Sequence, residues 1–364
     1  MRDNLIIEQL KNLFSRDENL RQTMLAQLAT NAADNPDLQT NPVRSLDDLY
    51  LWFNRMLTSM PWMGLEQGAK SKEQGLFRRI DQSIGYAYYL FGDLQYEPQI
   101  AEWIKQYNAR WGEFLNSSES WNSEYFEMLK QDPLFELDGD KYESPDNWHC
   151  WNDFFARRLG VSAGAYAARV PSETDLPFVA EGKSFPWLPI QNNTLAIKTA
   201  RIDNITDLLG DSPYKREFEN GRFTHITLDI FNYHRFHSPV DGRIVDIQDI
   251  DGQLSAGGRI IWDKAGHRYR YEQADNIGFQ MIEKRVVIVI EAPLPPKGGA
   301  ADENSRKDDN EQINKTLIAI IPVGVAQVGS IRLNDDIKIG AQIKQGQEMG
   351  CFRFGGSDVV IMRK

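Results

Sequence analysis

The sequence predicts an α+β protein in which a helical region comes first and a β-rich region follows it. In the first half, apolar residues recur every three or four positions, as Ile100, Ile104 and Tyr107 do, which places them on one face of a helix. In the second half, apolar residues alternate with polar ones or form short runs between glycines and prolines, which is typical of strands. We therefore predict a helical N-terminal domain over residues 1–160 and a β-rich domain, similar to a barrel or sandwich, over residues 161–364.

Start and stop signals support the helical part. Ser45 is followed three residues later by Asp48, which is the spacing of a helix N-terminal capping box. Pro61 is expected to end the helix that begins there. Gly160 marks the expected end of the helical domain.

The β-rich part is predicted from several short apolar segments, the last of which is VVIM at residues 359–362. A β-branched run is unusual for a surface tail, so we expect this segment to be a buried strand. A stretch rich in Pro, Gly and charge over residues 293–314 separates two strands and is too long for an ordinary hairpin. We expect either a mobile lid or a disordered insertion there.

Composition narrows the class of protein. A chain of 364 residues with 41% hydrophobic residues can bury a sizeable core. Its formal net charge of −11 argues against nonspecific binding to nucleic acid and to anionic membranes, since both rely on basic surfaces. No apolar run approaches the roughly 20 residues of a membrane span, and the first residues lack the pattern of a signal peptide. We therefore expect a cytoplasmic protein with no nucleic-acid partner and no stable membrane insertion, and we leave a homodimer open.

Gly355, Gly356 and Ser357 stand between an aromatic stretch and the predicted last strand. Two glycines in this position indicate backbone with a positive φ or the close approach of another group, with Ser357 held at that point. The residues alone also allow a simple β-turn before the strand.

Two of the five histidines, His234 and His237, lie three residues apart at the end of a predicted strand. Imidazoles exchange protons near neutral pH, so this pair, beside a Tyr and an Arg, favours a catalytic site. A third ligand at a recognisable spacing is missing, so we expect no metal. His225 lies on the polar side of its strand and is expected to be structural or exposed.

Several segments, taken in order, resemble the phosphatidylserine decarboxylase family. They are FFARRL, YHRFHSPVDGRI, IPVGVAQVGSI and IKQGQEMGCFRFGGS, and the match covers roughly residues 150–364. The helical half, with WGEFLNSSESW, is similar to the domain that accompanies the soluble amino-acid decarboxylase branch of that family.

The resemblance implies an enzyme that cleaves itself. In this family the serine of the terminal motif attacks the preceding carbonyl, here that of Gly356, and the chain splits between residues 356 and 357. Ser357 would become a covalent pyruvoyl group, which makes pyridoxal phosphate unnecessary. Gly355 and Gly356 leave the attacked carbonyl open, and the strand after Ser357 would keep the short fragment bound.

The resemblance also implies roles for further side chains. His237 matches the base that activates the serine, and His234 matches the residue that protonates the product after CO₂ leaves. The family's orienting carboxylate is an Asp, whereas Glu181 stands at the corresponding position, which is a departure from the family pattern. Asp241 competes for the same role, although a turn residue before Gly242 is the simpler explanation for it.

The expected substrate is a soluble L-amino acid, because neither the charge nor the predicted helices supply a membrane-docking surface. The resemblance to the amino-acid decarboxylase branch alone implies that tryptophan or another aromatic amino acid comes first. A phosphatidylserine decarboxylase that makes phosphatidylethanolamine and a non-catalytic binding relative remain alternatives. A lipoyl carrier is a further alternative, since Lys264 stands in an Asp-Lys-Ala triplet. We expect this lysine to lie outside a hairpin tip, where a carrier would need it.

Overall fold

The structure is a computed structural model of the chain. It describes residues 4–62, 75–162, 178–197, 200–273, 278–293, 315–327 and 329–364. The insertion predicted over residues 293–314 lies outside the described residues, apart from Pro293 at the end of a strand.

The first part of the chain is helical, as predicted. Within the described residues, none of its helices is long and apolar enough to cross a membrane. The α-helices are α1 (Leu5–Arg16), α2 (Glu18–Asp34), α3 (Leu46–Met56), α4 (Gly75–Phe91), α5 (Pro98–Leu115), α6 (Ser123–Lys130) and α7 (Trp151–Phe155).

The start of α3 shows how the local sequence sets a helix boundary. The Ser45 side chain accepts a hydrogen bond from the backbone N–H of Asp48 at 3.1 Å, and the Asp48 carboxylate accepts one from the Ser45 N–H at 3.0 Å. The predicted capping box is therefore confirmed. The helix ends at Met56, ahead of Pro61, so the proline is not its direct stop.

The second part of the chain is β-rich, as predicted. Its strands are β1 (Lys183–Ser184), β2 (Leu188–Gln191), β3 (Thr194–Ile197), β4 (Ala200–Asp203), β5 (Arg222–Leu228), β6 (Arg235–His237), β7 (Gly242–Ile250), β8 (Gly258–Asp263), β9 (Arg268–Gln273), β10 (Arg285–Pro293), β11 (Lys315–Val325), β12 (Ile331–Leu333), β13 (Gln342–Ile343), β14 (Glu348–Phe352) and β15 (Gly356–Arg363).

Most of these strands form one antiparallel sheet of ten strands. Its order is β13-β7-β10-β11-β15-β5-β2-β3-β4, with β1 also paired to β5. A three-stranded sheet contains β12, β14 and β6, and β8 pairs with β9. The α+β class is therefore confirmed. Among the described strands the large sheet has two open ends, so the barrel form of the prediction is wrong.

The last strand, β15, lies inside the large sheet between β11 and β5, so the terminal segment is built into the core as predicted. Ser357 pairs with Gly324 of β11 and with Leu228 of β5. Side chains alternate between the two faces of a strand. Val359 and Ile361 belong to one apolar cluster and the residue between them to another, so Ser357 faces the cluster of Val359 and Ile361.

That apolar cluster is shared between the helices and the sheet. It contains Phe53 of α3, Trp103 of α5 and Phe155 of α7 together with Val359 and Ile361 of β15. The helices therefore pack on the face of the sheet to which the Ser357 side chain points. The division into two domains at residue 160 stays a prediction.

Candidate active site

The segment that leads into β15 has room for glycine only. Gly355 has a φ of +152°, and a Cβ atom there would lie 2.6 Å from the carbonyl oxygen of Ala326. A Cβ atom at Gly356 would lie 2.6 Å from the carbonyl oxygen of Val325. Both distances are much shorter than van der Waals contact, so the expected close approach of backbone is confirmed. A simple β-turn does not account for it.

The Ser357 hydroxyl is buried at a position where none of the described residues binds it. The side chain is 3% exposed, and its Oγ has no hydrogen-bond partner among the described residues. A buried hydroxyl without a partner costs about 1–3 kcal/mol, and most such groups in folded proteins are paired. This unpaired hydroxyl, directly after two glycines, makes Ser357 a candidate for a chemical role.

His234 stands just before β6 and is fully buried. Its Nδ1 lies 2.9 Å from the carbonyl oxygen of Asn232, and its ring stacks on Phe155 with centroids 3.8 Å apart. Because a carbonyl oxygen can only accept, Nδ1 carries the proton and Nε2 is the acceptor. In the part of the chain that the structure describes, this buried Nε2 has no partner.

Arg157, in the FFARRL segment, fixes the backbone on which this histidine depends. Its Nη2 donates to the carbonyl oxygens of Phe231 at 2.5 Å and Asn232 at 3.1 Å. Burial first, and then the charge of Arg157, lower the pKa of His234 well below its ordinary value. His234 is therefore neutral at neutral pH and presents an unoccupied Nε2 lone pair.

His237, at the end of β6, is bound at both ring nitrogens. Nδ1 donates to the carbonyl oxygen of Gly346 at 2.8 Å, which leaves Nε2 to accept from the Tyr233 hydroxyl at 2.9 Å. Burial lowers the pKa of His237, so it too is neutral near pH 7. Its role as the base for Ser357 stays a prediction, and it requires that Nε2 first release Tyr233.

Glu181 binds other partners than the predicted one. Its carboxylate forms an ion pair with Lys141 at 3.1 Å and accepts from the Asn232 side chain at 3.1 Å. Both nitrogens of His237 are bound elsewhere, so the expected hydrogen bond between Glu181 and His237 is not formed in this structure. Glu181 instead adjoins Asn232, whose carbonyl oxygen binds His234.

Asp241, the competing candidate, is a turn residue. Its carboxylate accepts from the backbone N–H of Gln345 at 2.8 Å and lies 3.6 Å from the Lys344 ammonium. It is exposed and orients neither histidine. Within the described ranges, no group of three or more His, Cys, Asp or Glu side chains lies together in a way that could hold a metal ion.

Lys264 lies in the turn between β8 and β9, so the prediction that it lies outside a hairpin tip is wrong. Its ammonium lies 3.4 Å from Asp34 of α2. Tyr269 on the same hairpin packs against Tyr89 of α4, with ring centroids 4.8 Å apart. The hairpin is thus attached to the helices, and a carrier role would leave Ser357 unexplained.

The residue after Ser357, Asp358, contacts His225, and the sequence analysis did not connect these two residues. Asp358 is buried, and His225 Nδ1 lies 3.0 Å from its carboxylate. The carboxylate also accepts from Gln280 at 2.8 Å and from Thr227 at 3.3 Å. His225 is thus structural, one of the two options predicted. Asp358 itself could have indicated this cluster from the sequence, because a carboxylate in an otherwise apolar strand needs hydrogen-bond donors.

The fold and the site define a protein with a buried serine at the start of an internal strand and two buried, neutral histidines at the short strand β6. A family model described as phosphatidylserine decarboxylase matches residues 151–364, which is more than half of the chain. The chain therefore belongs to the phosphatidylserine decarboxylase family, whose members are enzymes.

Curated relatives carry the names of two kinds of decarboxylase. The chain is 25% identical over 231 residues to the phosphatidylserine decarboxylase proenzyme of Ruminiclostridium cellulolyticum, covering 63% of this chain and 65% of that protein. It is 24% identical over 306 residues to decarboxylase iboD of Amanita muscaria, covering 74% and 78%. It is 28% identical over 220 residues to the L-tryptophan decarboxylase of Psilocybe cyanescens, covering 58% and 45%. The chain thus spans just under two thirds of the length of the bacterial relative.

Proposed function

We propose that this chain is a self-processing, pyruvoyl-dependent decarboxylase that converts a soluble L-amino acid into the amine and CO₂. Self-processing begins when the Ser357 Oγ displaces the amide nitrogen from the Gly356 carbonyl carbon, which replaces the peptide bond by an ester. β-Elimination then frees the Gly356 carboxylate and cuts the chain, and water replaces the nitrogen of the dehydroalanine left at position 357, which releases ammonia and leaves the pyruvoyl group. The observation that carries the proposal is the buried, unpartnered Oγ of Ser357 after a glycine that has no side chain to cover its carbonyl. A serine nucleophile needs a base that can take its hydroxyl proton and an open path to the carbonyl carbon, and a hydroxyl without another partner is free to take up such a base.

The residues around position 357 fit a group formed there. β15 is paired on both sides from Ser357 nearly to its end, and the Asp358 carboxylate has three side-chain partners. The strand can therefore stay docked after the backbone is cut before Ser357. Gly355 and Gly356 themselves add no side chain beside the carbonyl group that precedes Ser357. A pyruvoyl group supplies a carbonyl that withdraws electrons from a bound amino acid as CO₂ leaves.

The free lone pair of His234 supports the proton-transfer role that we propose for it. Its Nε2 is unoccupied and the imidazole is neutral, so it can accept a proton and return it. Its Nδ1–H stays bound to Asn232, and the Phe155 ring fixes its plane. The ring thus keeps its orientation while the proton moves.

The fungal relatives support a soluble amino acid as the substrate. Two L-tryptophan decarboxylases align at 26% and 28% identity. The names of the bacterial relatives favour phosphatidylserine as the competing substrate.

Release of CO₂ from defined substrates tests the proposal. The purified protein is offered tryptophan, tyrosine, phenylalanine or phosphatidylserine vesicles, with no added pyridoxal phosphate. We expect turnover of an aromatic amino acid, loss of activity after treatment with hydroxylamine, which consumes a carbonyl, and no activity in Ser357→Ala.

Other outcomes would assign a different function. Turnover of vesicles faster than that of any free amino acid would identify a phosphatidylserine decarboxylase. A chain that is cleaved but turns over neither class of substrate would contradict the amino-acid assignment, and an uncleaved, inactive chain would identify a non-catalytic relative.

A further inference from the structure

We infer that the helical region takes part in self-processing through Tyr88 of α4, a positioning residue that holds the turn against which Gly355 packs. The inference rests on the proposed function, because it concerns the cleavage after Gly356. Tyr88 lies before residues 151–364, the part of the chain that the family model matches.

The turn after β11 lies directly against the cleavage segment. Ala326, Gln327 and Gly329 form this turn, named here the 326 turn. The Gly329 N–H donates to the carbonyl oxygen of Phe354 at 2.9 Å. A Cβ atom at Gly355 would lie 2.6 Å from the Ala326 carbonyl oxygen and 2.7 Å from the Gly329 nitrogen. A shift of the 326 turn would therefore move the backbone that positions the carbonyl group attacked by the serine.

The 326 turn has an uncommon backbone conformation. Ala326 has a φ of +53°, Gln327 of +48° and Gly329 of +44°. The left-handed region is unfavourable for a residue with a Cβ atom, because that atom crowds the following carbonyl oxygen. Such a conformation persists only where surrounding contacts hold it, so those contacts decide the shape of the turn.

Two hydrogen bonds hold the 326 turn from outside. The Ala326 N–H donates to the carbonyl oxygen of Ser255, and the Gln327 N–H donates to the Tyr88 hydroxyl, both at 2.8 Å. The Tyr88 hydroxyl in turn donates to the carbonyl oxygen of Leu254 at 2.8 Å. One hydroxyl therefore joins the 326 turn and the segment before β8 to helix α4.

The Tyr88 hydroxyl is buried and protonated. Tyr88 is 3% exposed. Burial raises the pKa of Tyr88 above its ordinary value, so the hydroxyl keeps its proton and can accept and donate together. Its removal would leave the Gln327 N–H and the Leu254 carbonyl group without this partner, and the strained turn would lose one of the contacts that hold it.

The variant Tyr88→Phe removes only the hydroxyl, and Tyr89→Phe is its matched control. Tyr89 is the next residue of the same helix, is 4% exposed, and donates to the carbonyl oxygen of Asn31 at 3.1 Å, away from the 326 turn. Precursors are made by cell-free synthesis, and intact mass gives the cleaved fraction against time. We expect Tyr88→Phe to slow cleavage at least about tenfold, because a small misplacement of the reacting groups lowers the rate strongly. The cleavage rate of Tyr89→Phe should stay within about twofold of the wild type.

A second measurement does not depend on cleavage. In the Ser357→Ala precursor, which cannot process itself, hydrogen–deuterium exchange reports on the backbone directly. Adding Tyr88→Phe should speed exchange in peptides that contain Gln327 and Gly355, whereas adding Tyr89→Phe should leave those peptides unchanged.

Equal cleavage rates for the two tyrosine variants, or unchanged exchange at Gln327 in Tyr88→Phe, would overturn the inference while leaving the proposed function intact. If the wild-type chain itself is never cleaved, the proposed function fails and the inference fails with it.

Discussion

Replacing His237 and His234 one at a time separates the two roles that the family resemblance assigns to the pair. Alanine at position 237 would leave the Gly346 carbonyl group and the Tyr233 hydroxyl without their partner. At about 1–3 kcal/mol for each group, the loss would reach about 2–6 kcal/mol, a large part of the stability of about 5–15 kcal/mol that folded proteins have. Glutamine keeps a polar group at the site and is therefore the better substitution.

In these variants, the loss of proton transfer is expected to lower the reaction rates more than the loss of stability does. A general acid or base contributes about 10²–10⁴-fold to a rate. His237→Gln should therefore stay uncleaved over the time in which the wild type is processed completely. His234→Gln should process itself into two chains but lose at least about 10²-fold of its decarboxylation rate.

Three measurements are needed for each variant: intact mass against time after cell-free synthesis, thermal unfolding to show that the chain is folded, and CO₂ release.

Because Nε2 of His237 must release Tyr233 before it can take the Ser357 proton, Tyr233→Phe should cleave at least as fast as the wild type. The role assignment is refuted if His234→Gln stays uncleaved while His237→Gln is processed normally. The unoccupied Nε2 of His234 would then be the base.

Other substitutions and pH test the buried contacts around the site. Gly356→Ala should block cleavage, seen by intact mass, because the new Cβ would collide with the backbone of β11. Asp358→Asn and His225→Gln should each lower the free energy of unfolding in urea by about 1–3 kcal/mol, and their effects should not add, because they break the same contact. Burial lowers the pKa of His234 and His237, so the unfolded chain binds more protons below pH 6.5. Stability should therefore fall on acidification below that pH, by up to about 1.4 kcal/mol per pH unit and histidine, and fall less steeply in the glutamine variants.

Local features of this protein were predictable from the sequence because they depend on residues a few positions apart. The cap at Ser45 and the buried strand over residues 359–362 are of this kind. The ion pair of Glu181 joins residues 40 positions apart, and the contact of His225 with Asp358 joins residues 133 positions apart. A sequence pattern identifies strands and charges, but it does not say which distant elements become neighbours.

The same limit explains why the prediction of a barrel was wrong. An alternating pattern predicts that a segment is a strand with one buried face, and it does so equally for open and closed sheets. Closure depends on whether the outermost strands, β13 and β4, pair with each other, and the order of the sheet separates them. The order of helices before strands was predictable, because the period of the apolar residues changes only once along the chain.

The intact mass of the purified protein under denaturing conditions tests self-processing at Ser357 most directly. We expect two chains, residues 1–356 and residues 357–364, with the shorter chain blocked at its N-terminus by the pyruvoyl group, and a single uncleaved chain for Ser357→Ala. A wild-type protein that keeps the mass of residues 1–364 after long incubation would contradict self-processing and, with it, the proposed pyruvoyl chemistry.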